Sequence, residues 1–143
     1  MSDLDLPDVN VLVALLHPSH ACHRAAQTWF TGLERLATTP VTEIGFLRIA
    51  LNPTVTGGAT TPANAMAALR SVRQDPRAEF LADDSSLALA SQALLAGLAG
   101  YRQVTDRHLV NLAASHGARL VTFDRRIRPT LVPDDQSRVV ELG

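Results

Sequence analysis

VTDRHLVNLAASHGARLVTFDRR, residues 104–126, reads as one helix followed by one strand, with a carboxylate near each outer end. Thr105 suits an N-cap, Leu109, Leu112, Ala113 and His116 recur at helical spacing, and Gly117 is a C-terminal stop. Residues 119–123 are short, apolar and bounded by a glycine and a charged cluster, which predicts a buried strand. A helix of about ten residues rises roughly 15 Å, and a strand of about five returns a similar distance. Folded back as an α/β unit, the pair brings Asp106 and Asp124 to one edge. Function is expected there.

The length of 143 residues fits one domain, expected over residues 1–143. Apolar content of 46% with 4% aromatic describes an ordinary globular protein rather than a disordered or fibrous one. No apolar run approaches the ~20 residues of a membrane span, and the opening MSDLDLPDV is acidic where a secretion signal is basic. The expectation is a cytoplasmic protein without a membrane partner. Cys22 stands alone, which rules out an internal disulfide and a Cys-based zinc site. A net charge of −1 lacks the global footprint of a nucleic-acid binder. All 13 basic residues are Arg. The absence of Lys removes P-loop NTPases and Schiff-base enzymes, while Arg is the better bidentate partner for phosphate.

Outward from the opening unit, residues 4–8 predict a strand with Pro7 at its end, and residues 9–16 a short helix. An amphipathic helix is expected from residue 19 through Ala26, Trp29, Phe30, Leu33 and Leu36. A second strand is expected over 38–41, and a helix over 44–51 opened by Thr42 and Glu43. Residues 54–61 read as a Gly/Thr loop, and Pro62 starts a helix to about Gln74. A third strand over 77–81, a helix over 86–98 capped by Asp83, Asp84 and Ser85, and a last strand over 138–142 complete the pattern. The alternation predicts a three-layer α/β/α domain around a mostly parallel sheet of about five short strands. Such sheets hold ligands at the carboxyl ends of their strands.

Asp8, Glu43, Asp106 and Asp124 all fall at that edge. Singly, each suits a helix first turn, where a carboxylate complements the dipole. Together they would repel one another unless a cation were present, and hard divalent cations prefer oxygen donors, so the group reads as an Mg²⁺ or Mn²⁺ site. Arg125, Arg126 and Arg128 cluster beyond Asp124, Arg107 adjoins Asp106, and Arg48 lies on the helix opened by Glu43. These arginines are candidate phosphate contacts or a solvated charged surface.

DVNVLVALL around Asp8, TEIGFLRI around Glu43 and the opening stretch resemble PIN-domain ribonucleases, most closely the VapC-type toxins of bacterial toxin–antitoxin pairs. The resemblance spans nearly the whole chain. It implies that Asp8 and Asp106 bind the metal directly, that Glu43 and Asp124 complete the site, and that Asn10 and Thr122 stand where they could support it. It further implies cleavage of structured RNA, such as a tRNA or rRNA loop, a homodimer, and inhibition by a VapB-like antitoxin.

Two readings compete with the nuclease: a catalytically silent PIN-like module that binds RNA or protein, and a phosphatase of small esters. The intact acidic set argues against the first. Short loops, which suggest an open groove rather than an apolar-walled pocket, argue against the second. His17, His20 and His23 lack the spacing and partners of a zinc site, and Gly57-Gly58 lacks the setting of a phosphate loop.

Overall fold

The computed structural model describes residues 2–58 and 60–143; Ala59, within the stretch read as a Gly/Thr loop, lies outside the described residues. In chain order the elements are β1 (Leu4–Pro7), α1 (Val9–Leu16), α2 (His23–Gly32), β2 (Arg35–Thr38), α3 (Pro40–Ala50), α4 (Pro53–Thr56) and α5 (Pro62–Arg73). There follow β3 (Ala78–Phe80), α6 (Gln92–Leu95), α7 (Val104–Ser115), β4 (Ala118–Thr122) and β5 (Val139–Glu141). The strands form one sheet in the order β3-β2-β1-β4-β5, with every neighbouring pair parallel.

Strand alternation sends apolar side chains to both faces. Leu4, Leu6 and Leu120 pack with Leu109, Val110 and Ala113 of α7 on one face. Leu36 meets Leu12, Phe46, Ala65, Leu69 and Val72 of α1, α3 and α5 on the other. Each fully buried Leu or Val of this kind contributes about 1.5–3 kcal/mol. β1 lies at the centre and still ends in Pro7. Its pairing with β2 covers Leu4 and Asp5 and goes no further, while Pro7 pairs with Val121 of β4, so the missing amide falls where one ladder has already stopped.

The α7–β4 unit folds back as its sequence predicts, and Gly117 takes the left-handed conformation that ends the helix (φ 66°). Thr105 is not its cap. A 3-10 turn at Tyr101–Gln103 runs straight into the helix at Val104.

Other boundaries differ from the expectation. β2 begins at Arg35 rather than 38, because α2 stops at Gly32 and Leu36 faces the core from a strand instead of continuing the helical stripe. α3 begins at Pro40, whose fixed φ and missing amide suit a first helical position. The Gly/Thr stretch holds the single turn α4, capped by Asn52, whose side chain accepts the Thr54 amide. Residues 86–98 form no continuous helix. Ser86 accepts the Ala88 amide and Ser91 the Leu94 amide, so serine oxygens divide the Ala/Leu-rich run into a 3-10 turn at Leu87–Leu89 and the short α6. No helix among the described residues is long and apolar enough to cross a membrane.

Candidate active site

At the carboxyl end of β1, Asp8 is the N-cap of α1, and its Oδ1 accepts the Val9 amide at 2.8 Å. Its Oδ2 accepts the Thr122 hydroxyl at 2.9 Å from the end of neighbouring β4. That hydroxyl also accepts the Asp124 amide at 3.0 Å and the Asn10 side-chain amide at 3.4 Å. Asn10 in turn accepts the Phe123 amide at 3.4 Å. One threonine thereby joins Asp8, Asn10 and Asp124 into a hydrogen-bonded edge.

Burial pushes the Asp8 carboxyl up, Thr122 and the Val9 amide pull it down, and the charge of Asp124 adds a further upward push. Asp106, in the first turn of α7, is pushed up to about 6, first by burial and then by the charges of Asp8 and Asp124; Arg126 and Arg107 oppose the shift. Asp8, Asp106 and Asp124 are thus close enough to repel one another. Asp124 itself is held low by Arg126, whose backbone amide (2.9 Å), Nε (3.0 Å) and Nη2 (3.0 Å) all donate to its carboxylate.

Glu43 reaches the same edge in the first turn of α3 but turns elsewhere. Its Oε2 accepts the buried Thr38 hydroxyl at 2.6 Å and Arg73 Nη1 at 3.0 Å. It is not among the charges that shift Asp106. Asp8, Asp106 and Asp124 thus act on one another's charge, while Glu43 stands at the same edge paired with Thr38 and Arg73.

Among the described residues, no group of three or more His, Cys, Asp or Glu side chains is set to hold a metal ion as it stands. The chemistry of the donors nonetheless fits a hard divalent cation: they are all oxygens and partly buried, and Asp8 and Asp106 are pushed up by burial and by neighbouring carboxylate charge, both of which a cation would offset. The three histidines offer no rival site. His23 bonds the Ala14 carbonyl at 2.8 Å, and His20 Nδ1 accepts the Cys22 amide at 3.0 Å.

The arginines divide. Arg107, expected at the surface as a phosphate contact, is 2% exposed. Its guanidinium donates to the Leu94 carbonyl and the Thr130 hydroxyl, each at 2.8 Å, so it ties α6 and the turn at Arg128–Thr130 to α7. One position along a helix is a rotation of about 100°, enough to turn Arg107 inward while Asp106 faces the edge. Arg126 is exposed beside Asp124, whereas the Arg125 guanidinium lies next to Gly143. Arg48 and Arg128 are exposed. Arg48 lies about 140° around α3 from Glu43, given ~100° per residue.

A groove of about 520 Å³ adjoins the acidic edge, lined by Gly100, Tyr101, Arg102, Asp106, Asp124 and Arg126 among others. Thr38, Arg73, Tyr101 and Arg102 were not legible as site residues. Thr38 reads as a strand residue, and Arg73 meets Glu43 from 30 residues away, so no local spacing announces the pair. An exposed tyrosine five positions before a candidate acid was the one available signal for the groove wall.

A parallel sheet with an acidic carboxyl edge of this kind defines a class that comparison with known proteins makes specific. The PIN domain profile matches residues 6–130. Ribonuclease VapC39 of Mycobacterium tuberculosis is 46% identical over 121 residues, covering 83% of this chain and 87% of that protein. Ribonuclease VapC38 of the same organism is 47% identical over 121 residues, covering 83% and 84%. Among solved structures, VapBC2 from Rickettsia felis, bound to a DNA fragment from its promoter, matches with a TM-score of 0.59 at 13% identity over 98% of this chain and 99% of that one. M. tuberculosis VapC20, a sarcin-ricin loop cleaving toxin, matches with a TM-score of 0.59 at 14% identity over 90% and 96%. The structural matches concern the fold. The chain belongs to the PIN-domain family, among the VapC ribonucleases.

Proposed function

We propose that this chain is an Mg²⁺- or Mn²⁺-dependent endoribonuclease, the toxin of a toxin–antitoxin pair, that hydrolyses phosphodiester bonds in structured RNA such as a tRNA or rRNA loop. The observation that carries the reading is the convergence of Asp8, Asp106 and Asp124 beside an open groove in a chain of the VapC ribonuclease family. Asp8 and Asp106 are the direct metal ligands in this reading, and Glu43 and Asp124 complete the set. The ion, when bound, supplies positive charge to the scissile phosphate and acidity to water.

The chain's own residues do the rest. Thr122 and the Val9 amide fix the Asp8 carboxylate, which restricts the site to one geometry before substrate arrives. With a pKa of about 6 in the absence of metal, Asp106 is largely ionised at neutral pH and available to a cation. Arg126 and Arg73 balance Asp124 and Glu43 until they are needed. Arg126 then stands at the groove as a contact for phosphate, a role that falls to Arg125 and Arg48 only at a distance from the acidic edge.

The same reading takes the chain as a single domain acting in the cytoplasm as a homodimer, with a VapB-like antitoxin as its inhibitor. The catalytically silent alternative would leave the acidic edge without consequence for RNA. Purified, antitoxin-free protein incubated with total bacterial RNA in Mg²⁺ or Mn²⁺, with EDTA and Asp8→Asn as controls, is expected to give discrete new 5′ ends that both controls abolish. Intact RNA from folded protein in either metal would defeat the nuclease reading in favour of the binding module.

A further inference from the structure

Tyr101 is the single tyrosine of the chain, and it takes no part in core packing: the residue is 81% exposed and belongs to neither core cluster. Its backbone is nonetheless fixed. The 3-10 turn at Tyr101–Gln103 continues directly into α7, so Tyr101 and Asp106 lie on one rigid run. Five steps along it, at about 2.0 Å each in the turn and about 1.5 Å in the helix, separate the two Cα atoms by roughly 9 Å along the axis. That is the rise of about three stacked nucleotides at ~3.4 Å each.

The setting suits an unpaired base. Tyr101 and Arg102 line the same groove as Asp106 and Asp124, and its volume of about 520 Å³ is in the range that admits a small planar group. Ala99 and Gly100 line the same groove and bring little side-chain bulk to it. Arg102 lies over the tyrosine, with its guanidinium carbon 5.7 Å from the ring centroid, and its Nε donates to the tyrosine Oη at 3.2 Å. An aromatic face beside a cation is the pairing by which single-stranded nucleic acid is held, base on ring and phosphate on arginine. Duplex RNA, with its bases stacked inside, could not use the ring.

We infer that Tyr101 and Arg102 form a base-stacking step that receives one unpaired base of the RNA within about three nucleotides of the bond that is cut. The inference rests on the ribonuclease reading above and adds the element that selects single-stranded or looped RNA. Tyr101 is a positioning residue: it holds the strand while the acidic edge acts.

Because Tyr101 is unique, incorporation of 3-fluorotyrosine gives one ¹⁹F resonance that reports this position alone. In Asp8→Asn protein, a randomised 12-nucleotide single-stranded RNA is expected to shift that resonance, while a duplex of equal length leaves it in place. In the active chain, Tyr101→Ala is expected to raise KM between about fivefold and about a hundredfold with kcat little changed, since stacking on an aromatic ring contributes that much per base. Tyr101→Phe is expected to behave as the parent, because the ring and not the hydroxyl carries the contact. RNA that binds by fluorescence anisotropy without moving the resonance, or an unchanged KM in Tyr101→Ala, overturns the stacking step and leaves the nuclease standing. Absence of both RNA binding and cleavage overturns the two together.

Discussion

The Thr122 hydroxyl has one proton and two lone pairs, and all of them are used: it donates to Asp8 and accepts from Asp124 and Asn10. Thr122→Val keeps the shape and removes the hydroxyl, leaving the buried Asp8 carboxylate and the Asp124 amide each short of a partner. The expected cost is about 1–3 kcal/mol by urea denaturation. Cleavage should also fall by about tenfold or more, because a ligand carboxylate released from its rotamer is no longer preorganised. A variant as active as the parent would show that Asp8 needs no anchor.

Asp106 carries a pH signature of definite sign. Its folded pKa, about 6, lies above the ordinary 3.8, so as pH falls the folded form takes up the proton first. Metal-free protein therefore gains stability from this group between neutral pH and about pH 4, and loses it as pH rises through 6. The displacement would correspond to nearly 3 kcal/mol if fully expressed; partial exposure reduces the expectation to about 1–2 kcal/mol. Denaturation in EDTA at pH 4.5 and 7.5, compared between the parent and Asp106→Asn, isolates the effect. The variant should be the more stable of the two at pH 7.5, with the advantage gone at pH 4.5. Equal behaviour at both values would remove the burial penalty and the repulsion by Asp8 and Asp124 assigned to this group.

At the scale of elements, the irregular chain between β3 and α7 is held by point contacts where a regular helix was expected. His108 bonds Asp83 at 2.6 Å, His116 bonds Asp84 at 2.8 Å, and Ser85 bonds Ser115 at 2.8 Å, so α7 acts as the rail to which the segment is fastened. Arg107 holds its far end. Gly97 is packed so closely there that a Cβ would fall 1.9 Å from the Thr130 carbonyl oxygen and 3.1 Å from Arg107 Nη2. Arg107→Leu leaves the Leu94 carbonyl without its charged donor, and should cost about 2–3 kcal/mol. Arg107 borders the groove but is 2% exposed, with its guanidinium taken by Leu94 and Thr130, so the KM for RNA in the folded fraction should stay within about twofold of the parent. A large rise in KM with stability intact would instead return Arg107 to the RNA surface.

For the whole molecule, the carboxylates of the acidic edge come from the β1–α1 junction, α7 and the segment after β4, which are separate parts of the chain brought together by the fold. A cation bound among them should stabilise the native state and leave the unfolded chain untouched. At about 100 times its Kd, an ion contributes about 2.7 kcal/mol. Thermal unfolding of the parent is therefore expected to move up by several degrees in Mg²⁺ or Mn²⁺ and to return with EDTA, while Asp106→Asn responds much less. An identical response in the two would place the ion elsewhere.

Much of this was legible in the residues. The α7–β4 unit announced itself through helical spacing, Gly117 and a short apolar strand, because period, stop and burial are local properties of a chain. The parallel sheet followed from alternation, and Pro62 marked a first helical position by its fixed φ, whereas Pro40, read as part of a strand, opens α3 instead. The sequence also placed Asp8, Glu43, Asp106 and Asp124 at one edge, since each follows a strand or opens a helix. Only the tertiary structure decided how those carboxylates are used: Thr122 reaches Asp8 across 114 residues, Arg73 takes Glu43 across 30, and Arg107 turns into the core. It likewise set Leu36 in a strand and broke residues 86–98, where an Ala/Leu run meets serines that cap their own neighbours. Periodicity is written along the chain, but a hydrogen bond between distant residues depends on where packing brings their side chains, and no spacing records that.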